Sequence, residues 1–132
     1  VNKNQIIYEG VSTRENYLDS YNKLDMVLDT FPVGNATGAF DASFMGVPIL
    51  TKINNNSFWF RTGESVNKNL NMNDWIAVDE EDYIKKAINF SQNKKYLNSL
   101  KDELRNRAIN SSLFDSKSYS NDFYEMLMNI KK

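Results

Sequence analysis

Short apolar runs alternate along this chain with stretches of helical spacing, and that alternation limits the fold more than any other feature. Gln5-Ile6-Ile7-Tyr8-Glu9 is a β-branched and aromatic run ended by Gly10, so a first strand is expected there. Thr13 supplies an N-cap for a helix that starts at Arg14 and repeats Tyr17, Leu18 and Tyr21 at helical intervals. Asp25-Met26-Val27-Leu28-Asp29 reads as a second strand, stopped by Phe31-Pro32 and a small-residue loop through Gly38. A short helix over 39–45 ends at Gly46. Pro48-Ile49-Leu50-Thr51 follows as a third strand, with proline first, where its missing N–H costs least. After a loop over 52–63, which carries Asn54-Asn55-Asn56, come a helix over 64–70 and a fourth strand at Trp75-Ile76-Ala77-Val78. Three helices complete the pattern. Asp79 opens one with acids in its first turn, running to about Ser91; residues 94–110 stripe Leu97, Leu100, Leu104 and Ala108; residues 118–130 carry Tyr119, Phe123, Met126, Leu127 and Ile130. Strands alternating with helices predict a layered α/β domain whose parallel sheet is crossed by right-handed connections.

Composition narrows the chemistry. With 132 residues the chain supports one domain, 1–132, able to bury about two thirds of its unfolded surface. It has no Cys and no His, which excludes a disulfide framework, a zinc finger, an imidazole base and the Ser-His-Asp and Cys-His nucleophile systems within it. Sixteen basic and 17 acidic residues are mixed along the chain, so no nucleic-acid partner is expected. Apolar runs such as Gly46-Val47-Pro48-Ile49-Leu50 fall far short of the roughly 20 residues that span a bilayer, so no membrane partner is expected and the location is read as cytoplasmic. The chain opens Val1-Asn2-Lys3-Asn4, without Met and without a charged-then-apolar leader; the expectation is a piece of a longer protein with no secretory signal. Glu80, Glu81 and Asp82 are adjacent in sequence and do not converge on one ion, so neither a metal nor a cofactor is expected.

Ligands of open parallel sheets sit beyond the carboxyl ends of the strands. After the second strand, Val33-Gly34-Asn35-Ala36-Thr37-Gly38 leads straight into a helix. Small residues let backbone N–H groups approach an anion, Thr37 adds a hydroxyl, and a helix start carries about half a positive charge. The same residues also fit a plain N-cap. Asp41, one turn further, would repel a phosphate; it either faces neutral hydroxyls such as those of a ribose or simply complements the helix dipole. After the first strand, Arg14 and Tyr17 stand three apart on one helical face. They offer a cation and a flat ring to a nucleoside, or else an exposed Arg and a half-buried Tyr. Phe44, Met45 and Trp59 read as core or as a surface facing another domain, Trp75 as strand packing, and Arg61 as a phosphate or domain contact or a surface or capping ion pair.

Several of these blocks stand together in a known order: Ile6-Ile7-Tyr8 through Val11, Leu24 through Pro32 with its Leu28-Asp29-Thr30-Phe31-Pro32 core, Thr37-Gly38-Ala39-Phe40-Asp41-Ala42, Met45 through Thr51, Arg61 with Ser65, and Ser112-Leu113-Phe114-Asp115 before Tyr119. In this order and spacing the chain resembles the O-linked N-acetylglucosamine transferase family over nearly its whole length. Phe31-Pro32-Val33-Gly34-Asn35 is also similar to the related bacterial transferases that glycosylate Asn side chains. The resemblance implies a Rossmann-like three-layer domain, the C-terminal, UDP-sugar-binding half of a GT-B glycosyltransferase. It implies a uracil pocket lined by the backbone of Val11 and Ser12, with Arg14 reaching the ribose and Tyr17 beside the base. Asn35, Ala36, Thr37 and Gly38 would turn around the diphosphate, and Asp41 would take the ribose hydroxyls. The chain departs from the family pattern at Arg14, often Lys there, at Tyr17, often His, and in offering Thr37 alone where two or three Thr are usual.

The resemblance thus implies an inverting, metal-independent transferase that moves N-acetylglucosamine or a hexose from UDP to a protein or peptide side chain. Its N-terminal acceptor-binding domain would come from the same protein, and no catalytic residue falls in this chain, which is expected to be inactive alone. The competing expectation is a non-catalytic Rossmann-like remnant or interaction module. A phosphoacceptor receiver is disfavoured, because Glu9 stands without the acidic pair and distant Lys that such a domain needs.

Overall fold

The computed structural model describes residues 2–53 and 58–130, apart from the side chain of Trp59. The expectations for Asn54-Asn55-Asn56 and for the Trp59 ring therefore lie outside the described residues.

Three strands, β1 (Val27–Leu28), β2 (Ile49–Lys52) and β3 (Ile76–Ala77), form a sheet in the order β1-β2-β3. Every pairing is parallel, with Val27 opposite Ile49 and Thr51 opposite Ile76. The described residues also form six α-helices: α1 (Arg14–Ser20), α2 (Ala36–Phe44), α3 (Thr62–Asn69), α4 (Glu80–Gln92), α5 (Lys94–Ile109) and α6 (Ser116–Ile130). Successive residues of a strand face opposite sides of its sheet, yet Ile49 and Leu50 are exposed to only 1% and 0%. Helices therefore cover both faces, as a parallel sheet requires. The expected layered α/β fold is the fold observed.

The boundaries have local causes. Thr13 Oγ1 accepts from Asn16 N–H at 3.3 Å and Asp79 Oδ1 from Asp82 N–H at 2.8 Å, each capping the helix it precedes. Gly46 follows the end of α2 with a φ of 77°, a left-handed turn, and a Cβ there would lie 3.0 Å from Lys101 O. Leu97, Leu100, Leu104 and Ala108, the stripe expected on α5, are all buried against Ile49, Leu50, Val66, Leu70 and Trp75. Trp75 is buried, but it closes a 3-10 turn just before β3 and does not open the strand; it stacks on Phe90 with centroids 4.2 Å apart, and its Nε1–H donates to Tyr96 Oη.

The first expected strand is not one. Residues 3–5 form a 3-10 turn, because Asn2 and Gln5 cap it reciprocally, and Ile6 N–H donates back to Lys3 C=O. Beyond it Ile7 and Tyr8 are 84% and 90% exposed and pair with no strand among the described residues. A β-branched run becomes a strand only where a ladder awaits it, and here local side-chain bonds capture the backbone first. The last helix spans 116–130, close to expectation, but its Tyr119, Phe123, Met126, Leu127 and Ile130 are all exposed.

Candidate functional site

Asp29 directly follows β1, and the loop after it reaches Asn35, the residue before α2. The first N–H in the α2 ladder is that of Ala39, which donates to Asn35 C=O at 2.7 Å. The amides of Ala36, Thr37 and Gly38 therefore precede the ladder, and the Asn35 side chain makes no capping bond. Thr37 is exposed and Gly38 buried. The Asn35 carboxamide folds over Gly38 so closely that a Cβ there would lie 2.2 Å from Oδ1. Simple N-capping, the bland expectation for this turn, is not what the side chains do.

One turn along α2, Asp41 meets Arg14 across 27 residues of sequence. Arg14 Nη1 and Nη2 donate to Asp41 Oδ2 and Oδ1 at 2.8 and 2.5 Å, a bidentate pair. The same guanidinium carbon lies 5.4 Å from the Tyr17 ring centroid, and Tyr17 Oη is 2.7 Å from Tyr21 Oη. The hydrogen bonds that Arg14 donates to Asp41 raise the Arg14 pKa further. Burial, aided by that hydroxyl pairing, pushes Tyr21 well above the ordinary phenol range. The first turn of α2 holds no acid, so Asp41 serves as partner to Arg14 and not as a dipole complement to the helix start. The structure thus brings Arg14, Tyr17 and Asp41 into one cluster beside the start of α2, where Asn35, Ala36, Thr37 and Gly38 lie. Val11 and Ser12 sit in the exposed segment just before α1; Ser12 Oγ donates to Thr13 C=O, and neither is tied to the cluster by a hydrogen bond.

Arg61 takes the ion-pair alternative. Its Nε and Nη2 donate to Glu64 at 3.0 and 3.2 Å at the start of α3, and Lys68 joins at 2.6 Å. The Arg61 hydrogen bond, chiefly, holds the buried Glu64 carboxyl below the usual carboxylate range. Phe44 is half-buried and leans on Phe114. Among the described residues no three carboxylates gather where a metal ion would bind, and no helix is long and apolar enough to cross a membrane.

Two groups at this end of the sheet have no assigned role in the sequence reading. Lys52 ends β2 with Nζ 4.2 Å from the Phe31 ring centroid and 3.3 Å from Glu80. Asp29 is 4% exposed; its Oδ1 accepts Asn35 N–H at 2.6 Å and its Oδ2 accepts the Thr51 hydroxyl at 2.8 Å. The sequence signal for Asp29 was available: an acid at the carboxyl end of a strand, seven residues before the start of α2.

An open parallel α/β layer with an uncapped helix start beside a paired cation and carboxylate defines a Rossmann-like domain. Its family follows from comparison with known proteins. The sequence pattern of glycosyl transferase family 41 matches residues 1–123, and the chain belongs to that family. It is similar to a probable UDP-N-acetylglucosamine–peptide N-acetylglucosaminyltransferase SPINDLY of Solanum lycopersicum, 27% identical over 104 residues, covering 79% of this chain and 11% of that protein. The SPINDLY protein of Hordeum vulgare is 24% identical over 110 residues, covering 83% of this chain and 12% of its own. Among solved structures, a mutant O-GlcNAc transferase of Thermobaculum terrenum superposes with a TM-score of 0.80 at 25% identity, over 88% of this chain and 22% of that one. The chain therefore spans about a tenth of the length of the curated relatives it matches.

Proposed function

We propose that this chain is the UDP-sugar-binding half of a metal-independent, inverting protein glycosyltransferase that acts in the cytoplasm. The sugar is N-acetylglucosamine or a hexose, the acceptor a protein or peptide side chain, and the acceptor-binding domain belongs to the same protein. The observation that carries the proposal is the convergence, within a family 41 chain, of the free amides of Ala36, Thr37 and Gly38 with Arg14, Tyr17 and Asp41. Helix-start amides and the Thr37 hydroxyl suit a diphosphate. Arg14 and Asp41, donor and acceptor, suit two ribose hydroxyls, and Tyr17 offers a ring to the base. Val11 and Ser12 would close over the base from the exposed segment. Catalysis would consist of stabilising the charge that grows on UDP as it departs, with fixed dipoles in place of a metal.

Titration of UDP into isotope-labelled protein tests this. A Kd of about 1 mM, near −4 kcal/mol, is expected for half of a two-domain site. The amide signals of Arg14, Thr37 and Asp41 should move together. Silence at several millimolar would overturn the nucleotide site and favour a non-catalytic Rossmann-like module, in which Arg14 and Asp41 simply satisfy each other.

A further inference from the structure

We infer that Asp29 is a positioning residue for the diphosphate end of this site, an inference that rests on the function proposed above. The carboxylate lies beneath the turn, not in it. Residues 30–34 leave the sheet at Asp29 and come back at Asn35, and the Asp29 Oδ1 to Asn35 N–H bond of 2.6 Å pins the two ends together. The other oxygen is anchored to β2 by the Thr51 hydroxyl, and the Asp29 carbonyl accepts the Tyr83 hydroxyl of α4 at 2.8 Å. Its own N–H donates to Leu50 C=O at 2.9 Å. Asp29 is thus fixed to the sheet and to α4, and through Asn35 it fixes the residue immediately before the free amides of Ala36, Thr37 and Gly38.

The neighbourhood leaves that carboxylate little room to move. A Cβ at Gly63 would stand 2.5 Å from Oδ2, and one at Gly34 would stand 3.4 Å from it. The role follows from the chemistry. An anion bound by two or three amides needs them aimed at a common point, and a helix start that swings on a free loop spreads them. A buried carboxylate is costly unless it is hydrogen-bonded, and here Asn35 N–H and the Thr51 hydroxyl engage both oxygens, which fixes the carboxylate and the residues it holds.

The test separates phosphate from nucleoside. Uridine and UDP are titrated into the wild-type protein and into Asp29→Ala, Asn35→Pro and Asn35→Ala, with chemical shifts and melting curves recorded for each. Asn35→Pro deletes the N–H that Asp29 holds together with the carboxamide, at a φ of −81° that proline tolerates, while Asn35→Ala keeps that N–H and removes the carboxamide alone, so the difference between the two reads the N–H. The expected result is about a tenfold loss of UDP affinity in Asp29→Ala and in Asn35→Pro beyond any loss in Asn35→Ala, with uridine binding unchanged, the size of one charge-assisted hydrogen bond. A folded Asp29→Ala that binds UDP like wild type, or that loses uridine and UDP equally, would overturn the inference. Should Asp29→Ala not fold, Asn35→Pro decides by the same ratio. Wild-type protein that binds UDP no better than uridine overturns the proposed function itself, and this inference with it.

Discussion

Gly63→Ala sets two well-known effects against each other at one atom. Gly63 is the second residue of α3, and in an exposed helix the change to alanine gains up to about 1 kcal/mol. Here the added methyl would meet Asp29 Oδ2 at 2.5 Å, Thr51 Oγ1 at 2.7 Å and Thr51 Cβ at 3.0 Å. None of these is a flexible chain end: Thr51 is in the central strand and Asp29 is held by Asn35 and Thr51. Overpacking of this kind costs about 1–3 kcal/mol. Prising Thr51 from the carboxylate forfeits a further hydrogen bond to a charged group, about 1.5–3 kcal/mol. Set against the helix gain, the net is a destabilisation of about 2–4 kcal/mol, a large part of the roughly 5–15 kcal/mol that holds a domain together. For a chain of this size each kcal/mol moves the midpoint by about 3–5 °C, so a fall of roughly 6–20 °C is expected. Thermal unfolding followed by circular dichroism measures it directly. A melting temperature equal to or above that of wild type would show that Asp29 and Thr51 yield freely, and would refute the rigid coupling on which the positioning role depends.

Asn67→Ala should destabilise by about 2–4 kcal/mol in urea titration, because Asn67 Nδ2 donates to both Ile49 C=O and Trp75 C=O inside the core; a loss below about 1 kcal/mol would mean water replaces it. Tyr83 is pushed up to about 12, first by burial and then by the Asp29 charge, so its contribution is complete below pH 10 and is lost as pH rises from there through 12. Tyr83→Phe should flatten that alkaline decline in the unfolding free energy. Glu64 behaves oppositely: its folded pKa lies below the ordinary 4.5, so its contribution is present above pH 4.5 and lost as pH falls through the depressed value, and Glu64→Gln should weaken the acid-side slope. Asp41→Ala should abolish the UDP-induced shifts while leaving the melting temperature nearly unchanged, since the Arg14 it releases is exposed and needs no partner; a large fall in melting temperature would make Asp41 structural instead.

What could be read in the sequence, and what could not, divides along physical lines. The α5 stripe and the Thr13 and Asp79 caps were legible because periodicity and capping act over a single turn. Arg14, Tyr17 and Asp41 stand out in the sequence from helical spacing and charge, with their roles implied by the resemblance, yet the Arg14–Asp41 pair spans 27 residues, which no local pattern encodes. Ile6, Ile7 and Tyr8 misled because strand propensity is a statement about neighbours, and theirs are absent among the described residues. Asp29 went without a role for a related reason. Its importance lies in Thr51 and Gly63, 22 and 34 residues further on, and only the fold makes the three adjacent.

The stagger of the sheet gives β2 two separate tasks. Its first half, Ile49 and Leu50, pairs with β1, whereas Thr51 and Lys52 pair with β3. No residue of β2 is shared between neighbours, so the strand acts as a splice joining two short ladders end to end. A slip along one ladder cannot be absorbed by the other, and a slip of a single residue would turn Thr51 away from Asp29 to the opposite face. Core substitutions near Ile49 should therefore disturb the Thr51–Asp29 hydrogen bond as well as lower stability.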